Sequence, residues 1–151
     1  MWNLRPDERL REWKAIRKQV GQQTLDEACQ TVNHIWCYAP YVAHFLDPDR
    51  TNSVTAWPDP WTLLYENYYC DLAKALGMLY TLYLSEHKSN DFELLVCRDS
   101  VDRQVYNIVS LAQGKYILNF TFDTVVNNKQ LPDTLVVQYR YRPEDLDIDL
   151  Y

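Results

Sequence analysis

The hydrophobic period of this chain changes once, close to residue 90, and that change constrains the fold more than any other feature. Before it, apolar residues recur every three or four positions; after it, they alternate. Spacing of three and four lays an apolar stripe along a helix, whereas alternation builds a strand with one buried face. Helices first and strands second predict an α+β domain with an antiparallel sheet.

Pro6 opens a first helix that Gly21 stops, with Leu10, Trp13, Ile16 and Val20 on its stripe. Thr24 and Glu27 make a capping box for a second helix. Its face is Leu25, Ala28, Cys29, Val32, Ile35 and Trp36, and Pro40 marks its end. Residues 47–60 form a turn-rich loop around Trp57, with Trp61 just beyond. Asp59-Pro60 then reads as an N-cap followed by proline at the first helical position. After a break near Asn67, a further helix carries Ala73, Leu76, Leu79, Tyr80, Tyr83 and Leu84 on one face. Residues 59–84 are therefore the stretch on which the rest should pack. Residues 92–97, 104–112, 115–122 and 134–141 read as strands, with a tight hairpin turn at Gln113-Gly114. Residues 1–142 are expected to form a single domain, followed by an acidic tail at 143–151.

A net charge of -6 argues against a nucleic-acid binder. No run approaches the ~18 apolar residues of a membrane-spanning helix. The charged N-terminus does not read as a signal peptide. Cys29, Cys37, Cys70 and Cys97 have no CxxC spacing, so no metal or cofactor is expected and reduced cytosolic thiols are the default. Asp47, Asp49 and Asn52 faintly suggest a calcium loop, but its glycine and final glutamate are missing. Nucleotide-binding, zinc-protease and serine-hydrolase motifs are absent.

Charge is concentrated at the two ends. The first helix carries Arg9 and Arg17 among its basic residues, and the tail carries Asp145, Asp147 and Asp149. Together with Trp2, Trp13, Trp57 and Trp61, these are candidate contacts between protein chains. Buried aromatics are common interface anchors, and rim charges orient partners.

Cys70 sits at the start of the fourth helical stretch, where the positive end of the helix dipole favours a thiolate. The run Cys70-Asp71-Leu72-Ala73 followed by an antiparallel sheet resembles the papain-like and transglutaminase-like enzymes. Their nucleophilic cysteine opens a helix, their histidine opens a later strand, and an Asp or Asn lies on the next. The resemblance covers about residues 60–122 and implies a papain- or transglutaminase-like core. Asn119 falls at the third position. The histidine position reads Tyr106-Asn107, and His34, His44 and His87 all lie off that strand. Cysteine chemistry needs a base within hydrogen-bond reach, and a tyrosine with pKa near ~10 is a poor one. This departure argues for a non-catalytic version of the fold.

The wording of residues 57–87, with that of residues 4–14, also resembles small tailed-phage structural proteins. That resemblance implies a virion or assembly component, found in the host cytoplasm during assembly and then in the virion, with other phage or host proteins as partners and an oligomeric state. The leading expectation is therefore an assembly module with a degenerate cysteine-enzyme core. The alternative is a cysteine-dependent acyl-transfer enzyme, peptidase or transglutaminase, with Cys70 as nucleophile and Asn107 and Asn119 beside it. A third reading is a phage regulator that binds a host protein. An enzyme should show Cys70 in a cleft with an imidazole near its sulfur; an assembly module should fill that cleft.

Overall fold

A computed structural model describes residues 1–43, 45–51, 56–146 and 148. The α+β class is as the change of period predicts. Among the described residues four α-helices precede the sheet: α1 (Pro6–Gly21), α2 (Leu25–Cys37), α3 (Pro60–Glu66) and α4 (Asp71–Tyr83). Five strands follow: β1 (Phe92–Asp99), β2 (Val105–Leu111), β3 (Tyr116–Thr121), β4 (Thr124–Val126) and β5 (Leu135–Tyr141). The sheet is antiparallel throughout, in the order β4-β3-β2-β1-β5.

Local chemistry sets the helix ends. Thr24 and Glu27 form the expected reciprocal capping box. The Asp59 carboxylate accepts from the Thr62 amide at 2.8 Å, and Pro60 fills the first helical turn where no amide is needed. Asn67 ends α3 in the left-handed conformation, φ 61°, which asparagine tolerates well. Cys70, in an extended conformation, is the N-cap of α4.

Helix α4 is the centre of the molecule. It is buried on nearly every side, from Leu72 to Tyr83, as expected of a helix that is apolar all round. Gly77 leaves room for Trp36 of α2: a Cβ at that position would lie 2.2 Å from Cη2 of the indole. One turn on, the Thr81 hydroxyl accepts from Trp13 Nε1 at 2.9 Å and Trp36 Nε1 at 3.0 Å, and donates to the Gly77 carbonyl. Two buried indole N–H groups thus share one acceptor, which avoids the cost of leaving them unpaired. One face of the sheet packs on α4 through Phe92, Leu94, Val96, Val109, Leu111 and Leu118. The opposite face carries a smaller cluster of Leu95, Cys97, Ile108, Ile117 and Val126.

The hairpin between β2 and β3 is broader than a two-residue turn. Ala112, Gln113 and Gly114 all have positive φ, and the Asp91 carboxylate accepts from the Gln113 amide. Strand β4 was not expected; it has only three residues and joins β3 through an irregular register.

Two of the proposed interface anchors, Trp13 and Arg9, are corrected by their burial. Trp13 and Arg9 are 1% and 3% exposed within the single chain. Arg9 donates to the carbonyls of Leu4, Leu64 and Tyr65, closing the C-terminal end of α3. Trp2 packs edge-on against Trp36 and Tyr69, Trp61 against Trp13, and Trp57 against Tyr141, while Arg17 covers the Trp13 ring. These aromatics anchor this chain's own layers, because an indole that loses water gains as much from an internal partner as from an external one. In the tail, Leu146 and Ile148 join the main core, and the Asp145 carbonyl accepts from Arg50. Asp147 and Asp149 lie outside the described residues.

Candidate active site

The cysteine site is built where the start of α4 meets β2 and β3. Residues 41 and 69 form a parallel bridge: the Val42 amide donates to the Tyr69 carbonyl at 3.1 Å, and the Tyr69 amide to the Pro40 carbonyl at 3.0 Å. Cys70 follows directly. Its carbonyl accepts from the Lys74 amide at 2.9 Å, the first bond of the helix, and its side chain makes no capping hydrogen bond. It is 4% exposed and lines a cleft of about 510 Å³. Tyr41, Leu46, Asp71, Arg98 and Asn107 share that lining.

Asn119 locks the helix start to the sheet. Its side-chain amide donates to the Asp71 carbonyl at 3.1 Å and the Asn107 carbonyl at 2.8 Å. Its backbone amide donates to buried Asn33 of α2 at 2.9 Å, and its φ of 66° is left-handed. In this position it is a brace that fixes Cys70 relative to β2. Asn107 lines the Cys70 cleft on one side and a smaller cavity of about 190 Å³ on the other, which also touches Cys37 and Lys74. Its Oδ1 is buried without a partner among the described residues. Cys70 and Asn107 thus line one cleft, and Asn119 is joined to it through the Asp71 and Asn107 carbonyls. Asn33 and Arg98 were not anticipated. Asn33 contacts Asn119 across 86 residues, and nothing local marks it.

The imidazoles of His34 and His87 are elsewhere. His34 Nδ1 lies 2.7 Å from Asp123 at the surface, and His87 Nε2 lies 2.8 Å from the Val20 carbonyl. Neither lines the cleft. His44 lies outside the described residues. An asparagine side chain at Asn107 holds a dipole but does not take up a proton near neutral pH.

Cys29 and Cys97 are wholly buried, whereas Cys37, at 6% exposed, is as accessible as Cys70. Burial pushes Cys29 up to about 12, with Asp26 adding to the effect, and Cys97 up to about 11 against the opposing charge of Arg140. Cys37 is also raised, chiefly by burial. Burial thus disfavours the thiolate at each of the three.

No cluster of three or more metal-ligating side chains occurs among the described residues. Asp47 and Asp49 cap their own turn: Asp47 Oδ1 accepts from the Asp49 amide, and Asp49 Oδ1 from the amide and hydroxyl of Thr51. Asn52 lies outside the described residues. No described helix is long and apolar enough to cross a membrane. A further cavity of about 450 Å³ lies between Phe45, Trp57, Thr62 and Tyr80, with no thiol or imidazole on its described lining.

No family model and no curated protein matches the chain. Solved structures do. Calcium-bound LapG of Legionella pneumophila superposes with a TM-score of 0.70 at 15% identity, covering 91% of this chain and 76% of that one. An EGTA-treated LapG gives the same score at 14% identity, covering 90% and 73%. These matches overturn the phage resemblance: LapG is a bacterial cysteine protease and not a virion component, so the virion role and the host-cytoplasm and virion locations are withdrawn. What the chain shares with LapG at such identity is the fold alone, an α+β architecture with a transglutaminase-like core.

Proposed function

We propose that this chain acts on an extended polypeptide at the Cys70 cleft, by cysteine-dependent acyl transfer with Cys70 as nucleophile. The observation that carries the reading is the thiol itself. It is the N-cap of α4, free of hydrogen bonds to its own helix, and it faces an open cleft that an assembly module would have filled. In the reaction the Cys70 sulfur, as thiolate, adds to an amide carbon. The C–N bond breaks, the amine leaves with a proton, and the acyl group stays on Cys70 as a thioester until water or a second amine takes it. The α4 N-terminus supplies positive potential to the thiolate. Asn119 holds the geometry.

A second reading has its own observation: Asn107 stands where the resembling enzymes carry their base. On that reading the cleft holds a polypeptide without turning it over. Thiol labelling at neutral pH tests the reactive cysteine. Cys70 should label at least about tenfold faster than the wholly buried Cys29 and Cys97, and faster than Cys37, which is equally accessible but does not open a helix. Equal, slow labelling of all four sinks the acyl-transfer reading. Fast labelling with no thioester detected by mass spectrometry on peptide pools leaves the binding reading. Turnover by the parent that is lost in Cys70→Ala identifies an enzyme with Cys70 as its nucleophile.

A further inference from the structure

The cleft carries a cation that no carboxylate among the described residues pairs with, and this bears on which polypeptides it takes. Arg98 lies near the end of β1, opposite Val105 of β2 and Val136 of β5. It is half-buried and lines the Cys70 cleft with Leu46, Leu72 and Val105. One guanidinium nitrogen, Nη1, donates to the Arg103 carbonyl at 3.0 Å. That carbonyl belongs to a turn built on Asp99, whose Oδ1 accepts from the amides of Val101 and Asp102 and whose Oδ2 accepts from the Thr134 hydroxyl. The guanidinium is therefore held by a braced turn through Nη1. Among the described residues no carboxylate lies within ion-pair distance of it. An arginine fixed by one hydrogen bond loses less freedom on meeting a carboxylate than a mobile one does, and its planar fork suits that group.

The geometry points to Arg98 as a specificity-determining residue that selects a polypeptide bearing an acidic side chain at the Arg98 end of the Cys70 cleft. This rests on the reading of that cleft as a polypeptide site. The apolar lining from Leu46, Leu72 and Val105 suits the aliphatic stem of glutamate, with the carboxylate at the guanidinium. Asp71 lines the same cleft and repels a second acid beside it, so the preference is for one acidic position and not for an acidic run. Lys74 lines the neighbouring cavity and not the Cys70 cleft, and its ammonium is engaged, donating to the Cys37 carbonyl at 3.1 Å and lying over the Tyr41 ring.

The probes are fluorescein-labelled short-peptide pools of Ala, Leu, Ser and Thr, carrying a single Glu, Gln or Lys at each position in turn. Binding is read by anisotropy on the Cys70→Ser protein. The same pools, made as C-terminal acyloxymethyl ketones, are read by mass spectrometry for modification of Cys70 in the parent. The Glu pool should bind about tenfold tighter than the Gln pool at one position, a charge-assisted bidentate contact being worth about that much. Arg98→Gln should abolish the preference, Arg98→Lys should keep part of it, and Arg98→Glu should turn it toward Lys. In the parent it should shrink as salt rises from about 0.05 M to about 0.5 M, a readout that does not depend on any variant folding. Pools that bind and modify Cys70 with no preference for Glu overturn this inference and leave the polypeptide site standing. Pools that neither bind nor modify Cys70 overturn the polypeptide site and this inference with it.

Discussion

At the scale of single residues, Gly77 and Thr81 hold the centre of the molecule by opposite means. Gly77 contributes space for the Trp36 ring, and Thr81 contributes one oxygen to two indole N–H groups. Thr81→Val keeps the shape and removes the acceptor. It should destabilise by about 1–3 kcal/mol for each indole left unpaired, measured by chemical denaturation with near-ultraviolet dichroism as a second probe of the tryptophans. Gly77→Ala drives a methyl into the face of the Trp36 ring, within 2.5 Å of three of its carbons. Overpacking of this kind costs about 1–3 kcal/mol or more, and here it should also move Trp36 away from Thr81. A Gly77→Ala protein with unchanged tryptophan dichroism and denaturation midpoint would show that the ring is not seated there.

Among the elements, the β1–β2 turn has the clearest pH signature. The Val101 amide, followed by the Thr134 hydroxyl and the Asp102 amide, holds the Asp99 carboxyl below its ordinary value, against the opposing effect of burial. A depressed carboxyl contributes stability that is fully present above its unfolded value, near ~3.9, and is lost as pH falls through the lower folded value. Asp99→Asn should therefore melt below the parent at neutral pH, and the gap should close in acid, below about pH 4. A gap that stays constant well below about pH 4, through the range in which Asp99 must take up its proton, would mean the carboxylate charge is not what the turn uses. The period of the sequence shows β1, β2, β3 and β5 because each alternates over six or more residues. It hides β4, whose three residues are too few to show a period. Asn67 is legible as a helix stop because its left-handed conformation is a local preference of asparagine. The brace from Asn33 to Asn119 is not legible, because it depends on where α2 lies on the sheet.

Over the whole molecule, the ends behave as parts of one core. The sequence shows where charge is concentrated and where tryptophans lie, but an aromatic destined for another chain and one destined for an internal partner look alike in it. Trp2 and Trp13 were of the second kind. The acidic tail also hides its apolar residues among carboxylates: Leu146 is 7% exposed and Ile148 1%. Leu146→Ala and Ile148→Ala should each cost about 2–5 kcal/mol, read as a shift in denaturation midpoint. A chain ending at residue 142 should lose both contributions. A truncated protein as stable as the parent would place both residues outside the cooperative core.

The paired strands at Tyr41 and Tyr69 couple two motions that would otherwise be independent. The segment that walls the cleft and the residue before Cys70 are fastened by two backbone hydrogen bonds, one in each direction. The wall therefore does not swing outward without releasing the backbone next to the cysteine, and the amides of Val42 and Tyr69 should trade their protons for deuterium together. Widening the cleft and loosening the nucleophile are then one event with one rate, and a tightly held occupant should slow both exchanges by the same factor.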